Sequence, residues 1–254
     1  MSRRRRFATV AVVLVALIAV VGAAYFAIPQ PNLPEASAAL ASTDTVTFAR
    51  VDDRLEFRPA SVEPITGLIL YPGGKVDAAA YAPTAARLAG LGFLVVIVPM
   101  PLNLAVLGID RADAVLAAHP EIRQWAIGGH SLGGAMAAQY VASHPNAGAD
   151  PGTGMGGIRG LVLWAAYSAT RLPEPVATIL IYGTLDSGAA GFVSTERLAN
   201  LGLPPTIVTI EGGNHEQMGW YTGQPNDPPA TISRAAQQDQ LIEATARFLS
   251  GLEP

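Results

Sequence analysis

From residue 45 onward, short runs of β-branched and aromatic residues alternate with longer segments rich in alanine and leucine. Residues 46–50 and 54–58 flank Asp52-Asp53 and predict a β-hairpin. The runs GLILYP, FLVVIV, WAIGG, GLVLWA, ATILIYG and TIVTIE then predict strands, and residues 78–91, 110–118, 132–143, 193–201 and 232–249 predict helices. These strand segments are nearly continuous apolar runs, as required when helices cover both faces of a parallel sheet. The pattern predicts an α/β fold, with a mostly parallel central sheet, an antiparallel N-terminal start and helices on both faces. Open sheets of this kind bind ligands at the carboxyl ends of their strands, so the residues that follow each strand are the ones to search for chemistry.

The pattern before residue 45 differs. Arg3 to Arg6 precede twenty-two uncharged residues, 7–28, which as a helix would span about 33 Å, enough for a bilayer core. The arginines would stay cytoplasmic and place the rest of the chain on the other side. Segment 1–28 is therefore expected to be a membrane anchor, with the domain on the extracytoplasmic side. The alternative is a signal peptide cleaved from a secreted protein, because Ala36-Ser37-Ala38 offers small residues to a peptidase. Residues 29–44, rich in Pro, Ala and Ser without an amphipathic period, read as a linker, and 45–254 as one domain.

Composition narrows the chemistry. The chain has no cysteine, which excludes disulfides, thiolate zinc sites and a cysteine nucleophile. Beyond residue 28 it carries twelve basic and twenty acidic residues, a balance of −8 that argues against nucleic acid as a partner.

Gly129-His130-Ser131-Leu132-Gly133 fits G-x-S-x-G between a strand run and a helical run. In that setting the glycines allow a sharp turn that lifts the serine hydroxyl above the sheet, and the helix N-terminus directs N–H groups toward it. A serine needs an imidazole to take its proton. Of the four histidines, His119 and His144 precede prolines at helix ends and His130 belongs to the turn. His215, in the loop EGGNHEQ after the last strand, is the candidate base. Asp186, in LIYGTLD, is the candidate orienting acid, ahead of Glu196 and Asp150, and gives the chain order Ser, Asp, His. An oxyanion site requires two donors. The N–H of Leu132 would be one, and the loop YPGGKVD offers Gly74 or Lys75 as the other. Lys75, the one lysine of the chain, could instead face solvent. Met100, Leu102 and Leu104, after the second parallel strand, are candidates for an apolar pocket wall or for ordinary core packing.

Together the serine turn, the YPGG loop, the GTLD turn and the GGNH loop resemble the α/β-hydrolase fold superfamily over residues 60–250. Within it the chain is most similar to cap-less serine hydrolases like the dienelactone hydrolases and related esterases. It departs from them in two places: a serine replaces the nucleophilic cysteine of dienelactone hydrolases, and Tyr71-Pro72 stands where many relatives have His-Gly. The resemblance implies Ser131 as nucleophile, His215 as base and Asp186 as its partner, acting on a small-molecule ester without metal or cofactor. An acyltransferase with the same three residues, or a non-catalytic binding module on this fold, are the alternative readings.

Overall fold

The protein is described by a computed structural model covering residues 3–145, 147–148, 157–172 and 176–252. Strands β1 (Val46–Val51) and β2 (Arg54–Pro59) form the hairpin around Asp52, which takes the left-handed turn conformation at φ 54°. Strands β3 (Thr66–Tyr71), β4 (Leu94–Ile97), β5 (Gln124–His130), β6 (Ile158–Trp164), β7 (Ala177–Gly183) and β8 (Thr206–Ile210) complete an eight-stranded sheet. Its order is β1-β2-β4-β3-β5-β6-β7-β8, with β1 and β2 antiparallel and β4 onward parallel. Every residue of β3, β4 and β5 is buried, which is why their sequences lack the alternation of a one-sided strand.

Strand order reverses between β3 and β5. The connection leaving β3 moves toward β4 and the one leaving β5 moves toward β6, so a crevice opens above the ends of β3 and β5. The Tyr71-Pro72-Gly73-Gly74 loop and Ser131 both lie at this opening.

Among the helices, α1 (Arg3–Ala27) and α2 (Pro34–Ala38) precede the sheet; α3 (Ala82–Gly90), α4 (Ala112–Ala118), α5 (Leu132–Ser143), α6 (Ala189–Phe192), α7 (Thr195–Ala199) and α8 (Arg234–Ser250) pack around it. Three of the expected helices are interrupted. A 3₁₀ turn, Ala78–Tyr81, leads into α3, another, Ile109–Arg111, leads into α4, and the 193–201 helix starts only at Thr195, where the Ser194 hydroxyl accepts the Arg197 N–H and caps a new helix after α6.

The membrane anchor and the location inferred from it are corrected by the structure. Among the described residues no helix is long and apolar enough to cross a membrane. The last turn of α1 is engaged by the domain: the Asn103 amide donates to the Phe26 carbonyl at 3.0 Å, and the Lys75 ammonium lies 3.5 Å from the centre of the Tyr25 ring. The uncharged stretch before Tyr25 then spans only about 27 Å, short of the about 30 Å of a hydrocarbon core. The small-residue site proposed for a signal peptidase is likewise folded, with Ala36 fully buried in α2.

Residues 30–33 lie along residues 220–223. Leu33 N donates to Trp220 O, Thr222 N donates to Pro31 O, and Gln30 N donates to Lys75 O at 2.8 Å. Asn32 and Tyr221 form an antiparallel bridge.

Candidate active site

Ser131 directly follows β5 and caps α5 with φ 53° and ψ −122°, a backbone conformation that side-chain-bearing residues seldom adopt. A serine at a helix cap ordinarily accepts a helix N–H, but in this geometry its side chain makes no capping bond and the hydroxyl is left for other work. Two glycines allow the turn. A Cβ on Gly129 would strike the Tyr71 carbonyl, and one on Gly133 would strike the Tyr71 and Pro72 carbonyls, because β3, β5 and the first turn of α5 meet there. The first N–H groups of α5 have no partner inside the helix and face the serine's side of the crevice.

Asp186 and His215 come from the loops after β7 and β8 and meet directly. Oδ2 of Asp186 lies 2.6 Å from Nδ1 of His215, while Oδ1 accepts the Gly188 N–H at 2.7 Å. The carboxylate is buried, and its second bond fixes its plane. With Nδ1–H donating to the carboxylate, Nε2 is the ring's remaining nitrogen for proton transfer. Ser131, Asp186 and His215 line one cavity of about 400 Å³, together with Leu132, Ala165, Ala166, Tyr167, Phe192 and Asp227 among others.

The loop after β3 supplies the candidate donors. Lys75 stands at φ 60°, and its N–H is given to the Asn103 carbonyl at 2.9 Å. Its ammonium is on Tyr25, not in the cavity. Gly73 donates its N–H to the Tyr81 hydroxyl at 3.0 Å. Gly74 sits between them against the Leu132 side chain, and among the described residues its N–H has no protein partner. Met100, Leu102 and Leu104 do not line the cavity that holds Ser131. Met100 is buried in the core, Leu102 is exposed at φ 52°, and the following residues 106–111 line a separate depression with Gln139 and Ser143. Glu196 is exposed on α7, and Asp150 lies outside the described residues.

Asp227, which the sequence did not single out, accepts the backbone N–H groups of His215 at 3.2 Å and Glu216 at 2.8 Å. Burial holds its carboxyl above the usual range. Its local signal was an aspartate before two prolines, which marks a turn but not what the turn folds onto. The aromatic walls, Tyr167 and Phe192, carried no local signal at all. Among the described residues no cluster of His, Asp and Glu could hold a metal ion.

A sequence model described as the alpha/beta hydrolase family matches residues 67–239. No curated protein matches the chain in sequence. Solved structures of similar fold include a thermophilic esterase from the Planctomycetes species Thermogutta terrifontis with propionate bound, 16% identical, with a TM-score of 0.55 over 83% of this chain and 97% of that one. Another is Thermogutta terrifontis esterase 2 phosphoramylated by tabun, also 16% identical, with a TM-score of 0.56 over 84% of this chain and 98% of that one.

Proposed function

The chain belongs to the α/β-hydrolase family, and on that premise we propose that it hydrolyses carboxylic esters through an acyl-enzyme on Ser131. The observation that carries the reading is the 2.6 Å contact between Asp186 and His215 on the cavity that also holds Ser131. Nε2 of His215 takes the Ser131 proton as Oγ attacks the ester carbonyl, and the resulting imidazolium is stabilised by Asp186, which keeps its own charge. The N–H of Leu132 and that of Gly74 receive the oxyanion; Lys75 is set aside as a donor because its N–H is already bonded to Asn103. Collapse of the tetrahedral intermediate passes the proton from His215 to the leaving alcohol. Water then repeats the sequence and frees the acid.

The cavity favours a short acyl group, since Ala165, Ala166 and Phe192 form its apolar side and about 400 Å³ must hold the whole reacting ester. The propionate bound to one structural neighbour agrees with that size class. Covalent modification of the same esterase 2 by tabun, an organophosphorus reagent, suggests the test. A fluorophosphonate probe is expected to label the protein at Ser131, and p-nitrophenyl acetate or propionate to be turned over. No labelling, or labelling that persists in Ser131→Ala, overturns the proposal. Formation of a new ester when an alcohol is added, in preference to free acid, would make the protein an acyltransferase.

A further inference from the structure

Beside the candidate triad lies a fully buried polar pair that the reaction as described does not use. The Gly73 N–H donates to the Tyr81 hydroxyl at 3.0 Å, and that oxygen lies 2.8 Å from Nδ1 of His130. The hydroxyl and Nδ1 share one hydrogen bond whose direction follows the histidine tautomer, while Nε2 of His130 is buried without a hydrogen-bond partner among the described residues. Gly73 rests directly on this ring: a Cβ there would fall 2.8 Å from His130 Nδ1. The His130 ring also lies 4.4 Å, centre to centre, from the ring of His215, tilted by 49° to it.

We infer that Tyr81 and His130 are positioning residues for the oxyanion site, holding the Gly73-Gly74 loop so that the Gly74 N–H points to the developing charge above Ser131. This rests on the serine hydrolase reading and adds to it the means by which the loop is held. The order of bonds along the loop supports it. Gly73 is tied inward to Tyr81 and Lys75 is tied outward to Asn103, which leaves the intervening N–H fixed but, among the described residues, unpaired. The Tyr81 segment is itself pinned to the loop that follows His215, through the Trp220 N–H donating to the Ala80 carbonyl at 2.7 Å. One buried pair thus sets the spacing between the oxyanion loop, the serine turn and the base. Burial, with the neighbouring His215, pushes His130 well below the ordinary histidine range, so it stays neutral and does not compete with His215 for the serine proton.

The test is Tyr81→Phe in the full chain, assayed with p-nitrophenyl propionate well below the thermal transition. Loss of one oxyanion donor costs about 10²- to 10³-fold in kcat, and a misplaced donor should cost roughly 10- to 100-fold, with KM little changed. Affinity for a trifluoromethyl ketone, which forms the tetrahedral adduct, should fall in parallel, while affinity for an unreactive amide analogue stays the same. His130→Asn keeps a hydrogen-bonding group near the position of Nδ1, since its amide offers both a donor and an acceptor, and should retain more kcat than His130→Ala. Unchanged kcat in folded Tyr81→Phe, or a loss confined to KM, overturns the inference. If Tyr81→Phe does not fold, the histidine pair decides: equal losses in His130→Asn and His130→Ala overturn the inference, and partial rescue by Asn supports it. A wild-type protein that neither labels with fluorophosphonate nor turns over ester sinks the serine hydrolase reading, and this inference with it.

Discussion

Oδ2 of Asp186 and Nδ1 of His215 stand 2.6 Å apart although the two residues belong to loops after different strands. The parallel pairing of β7 with β8 brings those loops together, with Gly183 opposite Ile210 at the last register position. The Leu185 N–H bonded to the Gly213 carbonyl at 2.9 Å then locks one loop to the other. A carboxylate held this way selects one tautomer of the imidazole before any substrate arrives.

That contact predicts graded losses. Ser131→Ala should lower kcat for p-nitrophenyl esters by on the order of 10⁵- to 10⁶-fold, and His215→Ala by a similar amount. Asp186→Asn should cost about 10⁴-fold, because the amide favours the wrong tautomer without removing the nucleophile or base. Thermal transitions within a few degrees of wild type would show that chemistry was lost and not the fold. Most of the activity surviving in Ser131→Ala would contradict the assignment.

Gly133→Ala should destabilise the protein by about 3 kcal/mol or more, because the new methyl meets two backbone carbonyls, Tyr71 and Pro72, that cannot swing aside. A fall in Tm of roughly 10 °C is expected for a chain of this size. A Tm equal to wild type would mean that β3 and α5 can separate at little cost.

The N-terminal strap offers a truncation test. Removing residues 1–24 keeps every bond from residues 30–33 to the domain, whereas removing residues 1–40 also strips the bonds to Lys75, Trp220 and Thr222 and the buried Ala36. At about 1 kcal/mol for each hydrogen bond, the longer truncation should lower stability by roughly 2–4 kcal/mol and the shorter one by little. Scanning calorimetry of the two fragments measures the difference. Equal Tm values would mean that residues 29–44 serve only as a linker.

His119 gives a pH dependence at the other end of the sheet. Its Nε2 lies 3.3 Å from Glu56 and its Nδ1 3.3 Å from Glu121, with Arg54 and Arg58 bordering the same cluster. The Glu56 carboxylate beside it holds the imidazole above its ordinary value of 6.5. A raised folded value means that the pair's stabilisation is complete below about pH 6.5 and is lost as pH rises through the folded value. The stability difference between wild type and His119→Gln, from urea unfolding at a series of pH values, should therefore shrink toward high pH. A difference that grows with pH would refute the ion pair's contribution.

Much of this protein was readable from local pattern alone. The hairpin, the succession of strands and helices along the chain and the serine turn depend on residues close in sequence, whose period and glycine placement reflect burial and backbone sterics at each position, whereas the order of strands within the sheet comes from non-local pairing. Asp186 and His215 were legible as strand-end residues because the parallel α/β sheet presents all such ends on one side. What lines the cavity was decided only by tertiary packing. After β4, Met100 is buried in the core and the chain turns away through left-handed Leu102 and Asn103, so neither Met100 nor Leu104 lines the cavity, while Tyr167, Phe192 of α6 and Asp227 do, none of them marked by the sequence as lining a site. The same holds for the only lysine, whose ammonium is drawn to Tyr25 of α1, and for residues 29–44, whose backbone bonds to residues 220–223 leave no periodic mark. The uncharged N-terminal run shows the limit most directly. Its length is a local property and fits a bilayer, but how much of it stays free is set by Lys75 and Asn103, far along the chain, so only the folded structure could overturn the anchor.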